Sequence, residues 1–168
     1  SGGLDNRLVM WDMRTGDVVC KRTGVHTERV DRMAVAASGA FIVTCGGYDN
    51  RVMVWHAKTL APMQTLVASA THGVAGLAVS PDSTMIVSGA ALGVVKVWEV
   101  QGEGGRWKVK RTINDHTDAV LAVAFSPDGK MLATGSADTT IKVYDVTNDF
   151  SLTHTLEGHT HAVDSLSF

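Results

Sequence analysis

An all-β fold of repeated four-stranded antiparallel sheets follows from three features of the 168-residue sequence. The first is a period: Trp11, Trp55, Trp98 and Tyr144 stand 44, 43 and 46 residues apart. The second is local alternation, because each aromatic closes a short run in which apolar and polar residues take turns: RLVMW, RVMVW, VVKVW and TIKVY. Successive side chains of a strand point to opposite faces, so a period of two marks half-buried strand rather than helix. The third is punctuation. Asp5, Asp49 and Asp138 each lie six residues before an aromatic, in SGGLD, CGGYD and TGSAD, and SGAAL takes that place before Trp98. Clusters of glycine, serine and aspartate reverse the chain between strands.

The elements of a unit then follow in order. VAGLAVS (74–80) and AVLAVAF (119–125) are almost wholly apolar and read as first strands buried on both sides. SPDST (80–84) and SPDGK (126–130) turn the chain into a second strand, with proline ending one strand and Asp-Gly starting the reversal. The second strand runs into the aspartate turn, and the third ends at the aromatic. A more polar fourth strand comes next, such as RWKVKR (106–111), which puts Arg106, Lys108 and Lys110 on one face and Trp107 and Val109 on the other. Lysines on an edge strand discourage pairing with another chain, which accounts for this composition. The loop QGEGG (101–105) explains the longest spacing and reads as a surface loop. The units span approximately 1–25, 26–69, 70–115, 116–158 and a partial 159–168, all within one domain.

The chain resembles the WD40 repeat family over essentially its whole length. Gly158-His159 and Trp11-Asp12 match the family signatures, with weaker forms at Asp115-His116, Val25-His26, Tyr144-Asp145 and Trp98-Glu99. The resemblance implies a WD40-type β-propeller of four-stranded antiparallel blades. Its ring is expected to be incomplete, because the sequence starts in a second strand and stops near the end of a first one. The remaining blades are expected from the rest of a larger propeller or from other chains, since an open arc exposes apolar sides of its terminal blades.

The resemblance also implies a buried hydrogen-bonded set of His, Ser/Thr, Asp and Trp that ties three strands of each blade. The positions it selects are His116, Thr134, Asp138 and Tyr144 in one unit, and His26, Cys45, Asp49 and Trp55 in another. Tyr144 is expected to supply an O–H donor where the family has an indole N–H, and Cys45 a weak donor where the family has a hydroxyl. Ser1, Asp5 and Trp11 are the visible part of a third set. In the unit of Trp98, His72 is out of register. His26 and His159 fall 15 residues after Trp11 and Tyr144, whereas the residue 15 after Trp55 is Ala70. This unit has therefore lost the histidine to Ala70 and the aspartate to Leu92, and keeps Ser88 and Trp98. The joint loss avoids a buried polar group without its partner.

Composition narrows the function classes. A net charge of −2 and a pI near 6.3 give no bulk attraction to nucleic acid or anionic membrane. Cys20 and Cys45 have no metal-ligand spacing and read as buried free thiols of a reducing compartment. With no signal-peptide pattern and no long apolar run, the sequence reads as soluble and intracellular, in the cytoplasm. The pair His159 and His161 has no cysteine beside it, so no metal is expected. No phosphate-binding loop or dinucleotide fingerprint is present, so no cofactor is expected either. His116, Thr134 and Asp138 superficially resemble a catalytic triad, but the same set recurs by unit as a strand tie, and no enzymatic activity is expected.

Binding to other proteins or peptides is the expected work. In the family, partners often dock at residues just before the aspartate and just after the histidine. Here these are Leu4, Tyr48, Ala91 and Ala137, then Glu28, Arg29, His72, Asp118 and His161. Tyr48 with Arg29 and Arg51 combines an aromatic anchor with positive charge, which suits an acidic or aromatic peptide. The leading expectation is an interaction scaffold. A sensor or regulatory propeller of a larger signalling protein or enzyme comes second, and a reader of nucleic acid or lipid phosphate third.

Overall fold

The computed structural model describes residues 1–27, 29–69, 73–101 and 105–168. Glu28, Ala70, His72 and most of the 101–105 loop, to which the sequence assigns roles, lie outside the described residues. Strands β1 (Arg7–Trp11) and β2 (Val18–Thr23) pair in a two-stranded sheet, with Gly2 bridged to Leu8. Three four-stranded antiparallel sheets follow. The first holds β3 (Arg32–Val35), β4 (Phe41–Cys45), β5 (Arg51–His56) and β6 (Pro62–Val67). The second holds β7 (Val74–Val79), β8 (Met85–Ala90), β9 (Val95–Gln101) and β10 (Arg106–Ile113). The third holds β11 (Val120–Phe125), β12 (Met131–Ser136), β13 (Ile141–Asp145) and β14 (Ser151–Leu156). A 3-10 turn at Ala91–Gly93 is the one helical element among the described residues, and none of their helices is long and apolar enough to cross a membrane.

Local chemistry sets the turns. The residue five before each aromatic is left-handed: Asn6 at φ 57°, Asn50 at 58°, Gly93 at 75° and Thr139 at 73°. Asparagine and glycine adopt this region at little cost. The turns between first and second strands share another device. The Ser80 and Ser126 hydroxyls donate to Asp82 and Asp128 at 2.5 and 2.6 Å, and accept from the amides of Met85 and Met131 at 2.9 Å each.

Burial departs from expectation in one respect. The second strands, β4 and β8, are buried along their whole length, whereas the first strands β7 and β11 are only partly buried. A first strand is the edge of its sheet. A second strand is flanked by strands on both sides and covered by the neighbouring blades.

Three of the four aromatics close their blade against the preceding one, whereas Trp11 is half exposed. Trp98 packs with Val43, Val52 and Val54, Tyr144 with Val87, Val95 and Val97, and Trp55 with Leu8, Val25 and Val30. A buried aromatic removes roughly 150–250 Å² from water, or about 4–6 kcal/mol before the entropy of ordering is set against it. A small residue also sits against a valine of the next blade. A Cβ added to Gly2, Gly89 or Gly135 would lie 2.5, 2.5 and 2.7 Å from Val30, Val120 and Val163 respectively. Cys45 holds the equivalent place and donates its thiol to the Val74 carbonyl at 3.4 Å.

The basic strand is joined to its neighbour more closely than its composition suggests. Gln64 on β6 donates to the Trp107 carbonyl and accepts from the Trp107 amide, at 2.8 Å each, and the Trp107 ring meets Phe41 edge-on at 5.1 Å. Val109, which alternation puts on the same face as Trp107, is half exposed although Trp107 is buried. A register shift between Val109 and Arg111 breaks the alternation there.

Candidate functional site

The strand ties hold the turns that form the site. His26 donates from Nδ1 to Asp49 at 2.6 Å. Its Nε2 meets the Thr44 hydroxyl at 2.8 Å, and that hydroxyl accepts the Trp55 indole N–H at 2.9 Å. The Asp49 carboxylate can only accept, so the ring proton is assigned to Nδ1, and in that tautomer Nε2 accepts the Thr44 hydrogen. The hydroxyl of this tie is therefore Thr44, not Cys45. The turn from Cys45 to Val52 carries one residue more than the turn from Gly135 to Ile141, which displaces any count made back from the aspartate. Counting forward from the histidine finds the position, because Thr44 and Thr134 both lie 18 residues after theirs. Burial pushes the Cys45 thiol up to about 12, so it stays protonated.

In the blade closed by Tyr144, His116 meets Asp138 at 2.8 Å and Thr134 at 2.7 Å. Burial pushes the Asp138 carboxyl up, but hydrogen bonds from Thr140, His116 and the Thr117 amide outweigh it and hold the group far below the usual carboxylate range. The Tyr144 hydroxyl does not take the place of the indole N–H. It is buried near Thr134 and Asp115 and has no hydrogen-bond partner among the described residues. A phenol carries its O–H at the tip of the ring and an indole its N–H at the side, so the same strand position aims them differently. Thr134 and His116 are buried, which suits a tie and gives a substrate no path to the hydroxyl. In the blade of Trp98, the buried Ser88 hydroxyl likewise has no partner among the described residues. Trp11 donates to the Ser1 hydroxyl at 3.0 Å. His159 is exposed, and no group of His, Cys, Asp or Glu among the described residues could hold a metal.

Three blades meet in an open cleft of about 330 Å³. Arg29, Asp31, Gly47 and Tyr48 form one wall, Gly73, Val74 and Ala75 the middle, and Ala91 and Ala119 the far side. The Arg29 guanidinium lies over the Tyr48 ring at 5.3 Å, and its Nε is 2.6 Å from Asp31. Two glycines make this wall possible. A Cβ on Gly47 would fall 1.8 Å from the Asp31 carboxylate, and one on Gly73 would fall 1.4 Å from the Gly47 carbonyl.

Of the sequence-selected partner residues, Tyr48, Arg29 and Ala91 come together here. Arg51 does not join them. It follows left-handed Asn50 into β5, where it pairs with Val67 of β6, on the side leading to the outer strand. Leu4 is exposed on the turn before β1, away from the cleft. Asp118 is exposed beside cleft-lining Ala119, and its carbonyl accepts the Ser136 hydroxyl at 2.9 Å. His161 is exposed and 3.1 Å from the Thr160 hydroxyl. Sequence reasoning missed Asp31, Gly47, Gly73, Val74, Ala75 and Ala119. Only Asp31 left a signal, two residues from Arg29 and so on the same side of an extended chain.

Known proteins align with this architecture. The family model "WD domain, G-beta repeat" matches residues 18–56, 61–99 and 107–145. Each match begins near a fourth strand and ends just past the aromatic of the next blade, so the sequence repeat is staggered by one strand from the sheet. Autophagy-related protein 16 of Arabidopsis thaliana is 32% identical over 103 residues, 60% of this chain and 20% of that protein. WD repeat and SOCS box-containing protein 1 of Homo sapiens is 33% identical over 99 residues, 58% of this chain and 23% of that protein. The chain thus spans about a fifth to a quarter of these relatives. The crystal structure of Sqt1 from Chaetomium thermophilum superposes with a TM-score of 0.86 at 21% identity, covering 99% of this chain and 45% of that one.

Proposed function

The chain belongs to the WD40 repeat family, and from that premise we propose that it is a protein-interaction scaffold whose partner docks in the cleft between Tyr48, Ala91 and Ala119. The observation that carries this reading is the Arg29–Tyr48 stack, held over a cleft built from three blades. An aromatic and an arginine already fixed in place lose little freedom when a partner binds, and these residue types dominate binding energy at interfaces. Leu4, Glu28, His72, Asp118 and His161 belong to the wider docking face in this reading, with Arg51 on its outer margin.

The test is partner affinity with single variants of the full-length protein. Tyr48→Ala is expected to weaken binding by more than about 1 kcal/mol, as hot-spot truncations do, with an unchanged melting temperature. Lys108→Ala, on outer strand β10, is expected to leave affinity unchanged. The opposite pattern would move the partner to the blade rim and refute the reading. A second reading, a regulatory propeller within a larger signalling protein or enzyme, draws support from the greater length of the relatives. A catalytic or nucleotide-binding domain elsewhere in the same full-length protein would favour it.

A further inference from the structure

We infer that the cleft takes an extended peptide by one acidic side chain, whose carboxylate meets the terminal nitrogens of Arg29 while a small apolar side chain rests on Ala75, Ala91 and Ala119. This rests on the docking reading above and adds the chemistry of the occupant.

Arg29 is held on two sides. An Asp31 carboxylate oxygen lies 2.6 Å from Nε as an ion pair, without the alignment of a hydrogen bond, and the guanidinium carbon sits over the Tyr48 ring, 5.3 Å from its centroid. A guanidinium has five N–H donors in a fixed fork, and among the described residues none takes the terminal pair, which suits a ligand. That pair matches the two oxygens of a carboxylate. Arg29 is also the more accessible member of its ion pair, with 42% of its side chain exposed against 19% for Asp31. An incoming group therefore meets the cation first. Arg29 is the one cationic side chain among the described residues lining the cleft.

Asp31 also sets the charge of the occupant. The cost of desolvating an anion rises with the square of its charge, whereas its attraction to a single guanidinium, partly cancelled by Asp31, rises only in proportion, so a singly charged acid fits better than a phosphate dianion. Across the cleft no side chain extends beyond Cβ at Ala75, Ala91 or Ala119. A peptide backbone can approach closely there, with space for a methyl-sized side chain. The asymmetry originates in the repeat. Ala91 holds the turn position that Tyr48 holds in the preceding blade, and Gly73 and Ala119 hold the place of Arg29 in the next two.

The test is a chemical-shift titration of the ¹⁵N-labelled full-length protein with acetyl-Ala-Glu-Ala-Ala-amide and its Gln and phosphoserine counterparts. The Glu peptide is expected to shift the amides of Tyr48, Gly73 and Ala91, and to bind at least about tenfold tighter than the Gln peptide, the size expected for a charge-assisted hydrogen bond. The phosphoserine peptide is expected to bind more weakly than the Glu peptide. Arg29→Gln should abolish the Glu advantage, and Lys108→Ala should leave it intact. Equal binding of Glu and Gln peptides within the cleft would overturn the carboxylate assignment while leaving the docking reading standing. Tighter phosphoserine binding, shifts confined to another surface, or no shift with any peptide would also overturn it. The docking reading itself fails separately, if Tyr48→Ala leaves the affinity of the natural partner unchanged.

Discussion

Thr44 serves two buried partners at once, accepting from Trp55 and donating to His26. Thr44→Ala leaves an indole N–H and an imidazole nitrogen unsatisfied, each costing about 1–3 kcal/mol. Cys45→Ala removes only a weak thiol donor and should cost less than about 1 kcal/mol. Denaturant unfolding of the two variants measures the difference, and equal losses would return the tie to Cys45. A second residue-scale prediction concerns acid. Asp138 is held below its ordinary range, so it is ionised in the folded chain at pH values where unfolded aspartates already bind protons. Its contribution is complete above the unfolded value of about 3.9 and is lost as pH falls below that toward the folded value. Wild type and Asp138→Asn should therefore differ most near neutral pH and converge on acidification, as read by unfolding free energy against pH. A constant gap across that range would contradict this. The tie residues were legible in the sequence except at two places: a fixed offset from the aspartate finds Thr134, but one inserted turn residue makes the same offset miss Thr44, and Tyr144 fills the aromatic position without its hydroxyl joining the tie.

The strands themselves were the most legible level. Period-two alternation and the SPD and aspartate turns mark the hairpins, because turn chemistry and face alternation are local properties of the chain. What stayed hidden depends on neighbours outside the strand. Nothing in β10 alone announces that Gln64 of β6 grips its backbone, nor that the register shifts beside Lys110. The blade junctions are a further example. Gly89 is a glycine because the space beyond it belongs to Val120, whose Cγ1 would lie 2.5 Å from an added Cβ and whose carbonyl would lie 2.8 Å away. Gly89→Ala should destabilise the chain by about 1–3 kcal/mol through overpacking. Adding Val120→Ala should recover part of that loss, which a thermal or denaturant double-mutant cycle reads directly. Simple additivity of the two changes would mean that the junction is looser than described.

At the scale of the molecule, the repeat made the propeller architecture legible, and the family match and the superposition on Sqt1 agree with it. The cleft was legible at Tyr48, Arg29 and Ala91, which repeat register selects. Its other lining residues are Asp31 and Gly47 beside them and positions 73–75 and 119, which no local pattern connects and most of which are small residues of the kind that also fill ordinary turns and strands. The absence of bulk makes the cleft, and a sequence records that only once the blades are placed side by side. Residues on a rigid scaffold of this kind act where several loops converge. A partner docked in this cleft is detected most directly by site-specific photo-crosslinking in the full-length protein, with a photoreactive phenylalanine analogue replacing Tyr48, Ala91 or Lys108 in turn. Crosslinks to one protein partner from positions 48 and 91, and none from 108, are the predicted result. Crosslinking from 108 with silence at 48 and 91 would contradict the account.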